Sequence, residues 1–406
     1  MGEHIITVSA EPSGDRLALA LLEAVSHIRS DIKLTPIGSV ILEAEGYESP
    51  VHMAGLDVIG LMEGLKVLPL ARRKVREVGG FILKQNPDQV VLIDSWGFMI
   101  RLAIYLRKNG FLGKIVKYVA PQVWAMRDGR AKVLARHVDH LLTLHDFEAP
   151  YFEKHGLDVT YIGNPVFDTN FMSGDGQALK KKLKIKAHAP VLIVLFGSRP
   201  SEIKRLTEPF LDTLHALKSQ FPNLAIISPI SDAISGHFLS EFHKYERVDG
   251  FYILDEAEKF DAFAAADIAL ACSGTVTTQL ACAAVPTVIA YKVSPLTYHL
   301  ARWIYKLGHI SIVNISAGKT LMPEFIQGDV RADVLGAKLS AYLEDENARH
   351  LAAQALVAQT DKMRAIVLSP DDDAPQNHSS KGADSSKSAS PLKSAKRAAR
   401  ALIDLL

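Results

Sequence analysis

Cysteine is scarce. The two present in 406 residues, Cys272 and Cys282, lie within apolar runs, where they fit small buried side chains better than a disulfide framework, so a reducing compartment is expected. Charge of one sign is missing too. Lys and Arg number 46 against 45 Asp and Glu, a formal net charge of +1, so no global field draws the chain onto nucleic acid, and any basic contact surface is local. No window approaches the ~18 apolar residues that a spanning helix needs. Met1 to Ala10 shows neither the basic start nor the long apolar core of a secretory signal, and a soluble cytoplasmic protein is the expectation. What remains is an ordinary globular composition, 48% hydrophobic and 22% charged, at a length that suits two domains.

The stretch from Asp267 to Tyr291 organises the reading. An apolar run (Ile268 to Ala271) leads into Ser273-Gly274-Thr275, then into Thr277 to Ala284 without a breaker, then past Pro286 into Val288 to Tyr291: strand, tight turn, helix, strand. Small residues in such a turn let a phosphate approach the backbone, and the helix start offers unpaired N–H groups and a positive dipole end. The same pattern also describes an ordinary strand-to-helix connection capped by Ser273.

Similar units recur along the chain. Strand signal at Ile5 to Ser9 runs into Glu11-Pro12-Ser13-Gly14-Asp15 and a helix over Arg16 to Ile28, with Ser13 as an N-cap candidate. Strands are also expected at Lys33 to Gly38, Asp88 to Asp94, Lys114 to Val119 and His137 to Leu144. Asp94 closes a run apolar enough to be buried on both faces of a parallel sheet, where functional residues gather at strand carboxyl ends; it could equally cap the following helix. His137, His140 and His145 lack metal-ligand spacing, so no metal is expected. In the second half, Pro190 to Phe196 precedes Gly197-Ser198-Arg199, a phosphate-friendly turn, and strands follow at Leu224 to Ser228 and Gly250 to Leu254.

This alternation predicts an α/β protein of two Rossmann-like, doubly wound domains facing a cleft. The expected boundaries are 1–166, 167–368, a polar Ser/Asp/Lys-rich linker over 369–392 read as disordered, and a terminal helix over 393–406. One segment stands apart. Between Met53 and Val78 an apolar series including Leu61, Met62, Leu65 and Leu68 gives way to Arg72, Arg73, Lys74 and Arg76. It reads either as a helix packed on the core or as an apolar face meeting lipid with a basic edge.

Eight motifs occur in one order: AEPSGD (10–15), ID with a following aromatic (93–98), APQVWAMR (120–127), FE (147–148), IGNP (162–165), GSRPSEI (197–203), SGTVTTQ (273–279), and NISAG with PEFIQ (314–327). In this combination the chain, from about Ile5 to Val367, resembles the lipid-A-disaccharide synthase family. The resemblance implies the glycosyltransferase B arrangement, no metal or other cofactor, and inverting transfer of 2,3-diacylglucosamine from UDP to 2,3-diacylglucosamine 1-phosphate. Asp94 matches the family's proposed base. Ser198, Arg199, Ser273, Gly274, Thr275, Gln279 and Asn314 match positions that meet the UDP-sugar; Glu11, Ser13, Asp15 and Trp124 match the acceptor side. With acylated substrates, the lipid-facing reading of Leu61 to Lys74 gains weight, placing the protein at the inner leaflet of the cytoplasmic membrane; a homodimer is compatible.

The chain departs from the family's pattern at Trp96, Met99, Asn164, Phe196 and Gln279. Gln279 stands where the family has a glutamate, and an amide offers the ribose one acceptor and one donor where a carboxylate offers acceptors only. Other readings of the same architecture are a UDP-N-acetylglucosamine 2-epimerase-like enzyme, a transferase with another acceptor, and a paralogue that binds without turnover.

Overall fold

The computed structural model describes residues 2–53, 64–123, 128–294, 308–365 and 393–406. The expected linker over 369–392, with Leu61, Met62 and Trp124, lies outside the described residues. The chain divides into two units, residues 1–168 with the stretch from 366 onward, and residues 169–365.

In unit 1 a parallel sheet is built from β1 (His4–Val8), β2 (Lys33–Ile37), β3 (Gln89–Ile93), β4 (Lys114–Tyr118), β5 (His140–Thr143) and β6 (Asp158–Tyr161), in the order β2-β1-β3-β4-β5-β6. The central strands are buried on both faces, which is why they read as unbroken apolar runs. Alternation divides their side chains: Ile6, Val8, Val90, Leu92 and Ile115 face one core, and Ile5, Val91, Ile93, Val116 and Tyr118 the other. Helix α1 (Pro12–Ile28) covers the second face with Ala18, Leu21, Leu22 and Val25, an i, i+3, i+4, i+7 stripe. It starts four residues earlier than expected, because Pro12 at the first helical position already has the right φ. Val40–Ala44 (α2), Gly64–Gln85 (α3), Trp96–Lys108 (α4) and Asp128–Ala135 (α5) follow. The chain's last helix, Lys393–Asp404, buries Ala395, Ala398, Ala399 and Leu402 in the same core as α1, and Ser394 donates through N and Oγ to Asp168 Oδ2 at 3.1 and 2.6 Å.

In unit 2, β7 (Val191–Leu195), β8 (Ala225–Ile230), β9 (Phe251–Asp255), β10 (Ile268–Cys272), β11 (Thr287–Tyr291) and β12 (Glu324–Ile326) form a parallel sheet in the order β12-β11-β10-β7-β8-β9. Its core includes Leu192, Val194, Leu270, Val288 and Ala290, with Leu206, Phe210, Leu214 and Leu217 from the helix Pro200–Gln220. The strands β6 and β12 were not expected. Both are short edge strands, only partly buried, and carry a weaker apolar signal than the central ones.

Candidate active site

In each sheet one pair of neighbouring strands sends its chain out in opposite directions, opening a crevice at the carboxyl ends. In unit 1 these are β1 and β3. Glu11 and Ser13 follow β1, and Asp94 and Ser95 follow β3. The loops are cross-bonded: Ser13 Oγ donates to Asp94 Oδ2 at 3.0 Å, and Ser95 Oγ donates to Glu11 Oε1 at 3.0 Å. Asp94 and Ser95 have φ of 53° and 31°, two successive left-handed residues of which neither is glycine. Each such residue costs on the order of 1–3 kcal/mol and persists only where its surroundings hold it. Here Asp94 N donates to Tyr118 O at 2.9 Å and Met99 N to Ser95 O at 3.1 Å. The N-cap of α4 is Ser95, without a side-chain cap, so the half-buried Asp94 carboxylate is not used up on the helix. Its one side-chain hydrogen bond among the described residues comes from Ser13.

Asp15 needs correction. Expected at the acceptor side of the site, it is fully buried and accepts from Ser9 Oγ and Ser39 Oγ, each at 2.5 Å, and from Ser39 N at 3.1 Å. It ties the exit of β1 to the exit of β2, and a Cβ at Gly38 would lie 2.7 Å from its Oδ1. Ser13 is not the N-cap of α1 either; Glu11 holds that position, and the AEPSGD turn is largely the helix's first turn.

One group escaped the sequence reading, Lys117, and another, His145, was read there only as a rejected metal ligand. Lys117 lies fully buried in β4, where its Nζ donates to Tyr118 O at 2.8 Å. Burial pushes its pKa down to about 7 against the opposing pull of the Asp94 charge. A lysine within a central strand of a parallel sheet was the available signal. His145, beyond β5, is buried, stacks on Phe147 with centroids 5.4 Å apart, and lies 3.5 Å from Asn164 Nδ2; burial pushes its pKa down to about 4. Among the described residues no group of three or more His, Cys, Asp or Glu is placed to hold a metal ion.

In unit 2 the corresponding pair is β7 and β10. After β7, Gly197 has φ 113°, and a Cβ there would meet Glu202 Oε2 at 2.7 Å. Buried Glu202 accepts from Ser198 N at 3.1 Å, Arg199 N at 3.3 Å and Arg199 Nη1 at 3.1 Å. This helix start therefore already holds a carboxylate of its own, while the Arg199 side chain remains 73% exposed. After β10 the arrangement is the opposite. Helix Thr275–Cys282 has Gly274 as its N-cap and no side-chain cap, and Gly274 and Thr275 are exposed; Thr277 N donates to Gly274 O at 3.2 Å, while among the described residues the Gly274 and Thr275 N–H groups are open to an incoming anion. One turn on, Gln279 Oε1 is buried without a hydrogen-bond partner among the described residues. Gln279 also lines a cavity of about 360 Å³ with Thr169, Phe171, Glu256, Ala257, Lys259 and Phe260.

Asn314, expected at the UDP-sugar, is a second correction. It is fully buried, donates through Nδ2 to Met322 O at 2.7 Å and Glu324 Oε1 at 2.9 Å, and accepts through Oδ1 from Leu321 N and Met322 N at 2.8 and 3.0 Å. Both amide hydrogens and both lone pairs are committed to its own loop. Of the segment expected to meet lipid, Leu65 and Leu68 fall in the first turns of α3; Arg72 and Arg73 are exposed, and Lys74 pairs with Glu77 at 3.0 Å.

Two parallel six-stranded sheets, each with polar groups gathered at its switch point, place the chain in the fold class of nucleotide-sugar transferases and epimerases. The glycotransferase of kitacinnamycin superposes with a TM-score of 0.60 at 16% identity, covering 100% of this chain and 99% of that one. The UDP-GlcNAc 2-epimerase from Neisseria meningitidis, bound to UDP-GlcNAc, gives 0.58 at 11%, covering 90% and 98%. Likeness at these identities is one of fold alone. Sequence separates the two activities. The family model described as lipid-A-disaccharide synthetase matches residues 5–371. The lipid-A-disaccharide synthase of Paramagnetospirillum magneticum is 39% identical over 86% of this chain and 90% of that one, and the synthase of Rhodospirillum centenum 37% over 85% and 86%. The chain belongs to the lipid-A-disaccharide synthase family. It is a glycosyltransferase of lipid A biosynthesis, condensing UDP-2,3-diacylglucosamine with 2,3-diacylglucosamine 1-phosphate to give lipid A disaccharide 1-phosphate and UDP.

Proposed function

We propose that Asp94 is the general base of this transfer and that unit 1 takes the acceptor through the Glu11 and Ser13 turn. The acceptor's 6-hydroxyl oxygen attacks the anomeric carbon of the donor, and the bond from that carbon to the UDP oxygen breaks. The hydroxyl proton passes to the Asp94 carboxylate, and UDP leaves with the electron pair. Single displacement inverts the anomeric configuration. The supporting observation is the placement of Asp94: half-buried on left-handed backbone at a strand's carboxyl end, with Ser13 Oγ aligning one carboxylate oxygen.

The leaving diphosphate is assigned to the Ser273 to Thr275 turn, through the Gly274 and Thr275 N–H groups and the Ser273 hydroxyl, with Ser198 and Arg199 beside them, and the ribose to Gln279. In this reading protein groups meet the developing charge and no metal is called for. Replacing Asp94 with Asn, nearly isosteric but unable to take the proton, lowers kcat by about 10²- to 10⁴-fold. Turnover at the parental rate would remove Asp94 from this role.

We further propose that the enzyme works at the inner leaflet of the cytoplasmic membrane. Among the described residues no helix is long and apolar enough to cross a membrane. Support for a peripheral contact comes from the acyl chains of both substrates and from Leu70, 37% exposed, followed by exposed Arg72 and Arg73. Reversing these two arginines weakens binding to anionic liposomes, and parental binding adds salt sensitivity. Unchanged liposome binding in the reversed variant contradicts this placement.

A further inference from the structure

Among the described residues Lys117 is the one lysine of the fully buried charged groups at the carboxyl edge of the first sheet, and none of them offers it a carboxylate bond. By register it opposes Leu92 on β3 and Leu141 on β5, and alternation sets it on the face of Ile115, where Val8, Leu92, Phe98, Met99 and Leu141 form an apolar core. A buried ammonium in such surroundings is expensive unless it serves something nearby. Its partner is Tyr118 O, and that carbonyl has a second donor, the Asp94 N–H, at 2.9 Å. The next residue, Val119, has φ 74°, an uncommon conformation for a β-branched side chain. Three left-handed residues, Asp94, Ser95 and Val119, thus meet around a carbonyl that Lys117 holds from below.

We propose that Lys117 is a positioning residue for glycosyl transfer: its ammonium fixes the Tyr118 carbonyl that anchors the Asp94 backbone, and so holds the Asp94 carboxylate where the acceptor proton arrives. This rests on the reading of Asp94 as the base. The charged and titratable groups around Lys117 are few. β3 brings Asp94 and the α1 turn Glu11, which is bonded to Ser95. From α5, Arg130 lies over the Trp96 ring, and β5 brings His140, bonded to Thr160, at its far end. Asp15 is committed to Ser9 and Ser39.

Because burial pushes the Lys117 pKa down to about 7, the ammonium form is lost as pH rises through that value, and its contribution to turnover goes with it. The test is the pH dependence of kcat and of both KM values for the full-length parent, Lys117→Met and Lys117→Arg, together with thermal unfolding. The methionine variant fills the same space without charge. It is expected to fold, to lose about 10-fold or more in kcat with both KM values within about two-fold of the parent, and to lack the alkaline limb. Lys117→Arg, charged at every working pH, recovers turnover and moves the limb to higher pH. Parental kcat and an unaltered pH profile in Lys117→Met overturn the proposal. If Lys117→Met does not fold, the arginine variant decides: a displaced limb supports the role, and an unmoved one overturns it. Failure of Asp94→Asn to slow transfer would instead remove the base assignment, a separate result.

Discussion

At the first sheet's switch point the polar atoms are acids and hydroxyls bonded to one another across two loops, Ser13 to Asp94 and Ser95 to Glu11, over a buried lysine. At the second, the loop after β7 is filled by its own Glu202, while the loop after β10 keeps an uncapped helix start beside an unpartnered Gln279 oxygen. One topology therefore carries two kinds of chemistry. A crossed acid and hydroxyl arrangement suits removal of a proton from a sugar hydroxyl, whereas open N–H groups at a helix start suit an anion. In the proposed reading the sheets position the groups, and the residues just past the strand ends set which half of the reaction each unit serves.

The largest effect after that of Asp94 is expected at Arg199. Its guanidinium is mostly exposed, and Glu202 bonds to backbone N–H groups without it. Arg199→Ala therefore leaves the fold in place and slows transfer by about 10²-fold, in the range for loss of one donor to a developing anion. Steady-state rates at saturating substrates check this. A parental rate would leave only the Ser273 to Thr275 turn to meet the leaving group.

His145 sharpens the contrast in stability. Its folded pKa, near 4, lies below the ordinary value of 6.5 because the buried imidazole is held neutral. Between these values the unfolded state binds more protons, so stability falls as pH drops through the window, by at most about 3 kcal/mol. His145→Gln removes that dependence. Denaturant unfolding at about pH 7 and about pH 4.5 measures it, and equal slopes for parent and variant would exclude His145 as the cause.

The smallest effect is at Gln279. Its buried oxygen has no partner among the described residues, and a carboxylate there accepts more strongly, so Gln279→Glu tightens UDP binding several-fold, by roughly 1 kcal/mol. Calorimetry decides it, and weaker binding would show a pocket tuned to another ligand.

Much of this was legible because the central strands are buried on both faces: Gln89 to Ile93 and Val191 to Leu195 announce themselves by hydrophobicity alone, and the small and charged residues after them mark the strand ends. What could not be read was adjacency. Nothing local says that β1 lies beside β3, and only that neighbourhood brings Ser13 to Asp94 and seals Lys117 beneath it. Asp15 and Asn314 were misjudged for a related reason. A polar side chain in a motif can hold its own loop together, and only its complete set of partners reveals this.

The most direct test of the division between the two units is a calorimetric titration of UDP into the parent, Asp94→Asn and Arg199→Ala, side by side with single-turnover rates. The account predicts slow transfer in both variants, parental UDP affinity in Asp94→Asn, and UDP binding weakened several-fold in Arg199→Ala. Loss of UDP binding in Asp94→Asn, with parental binding in Arg199→Ala, would contradict it.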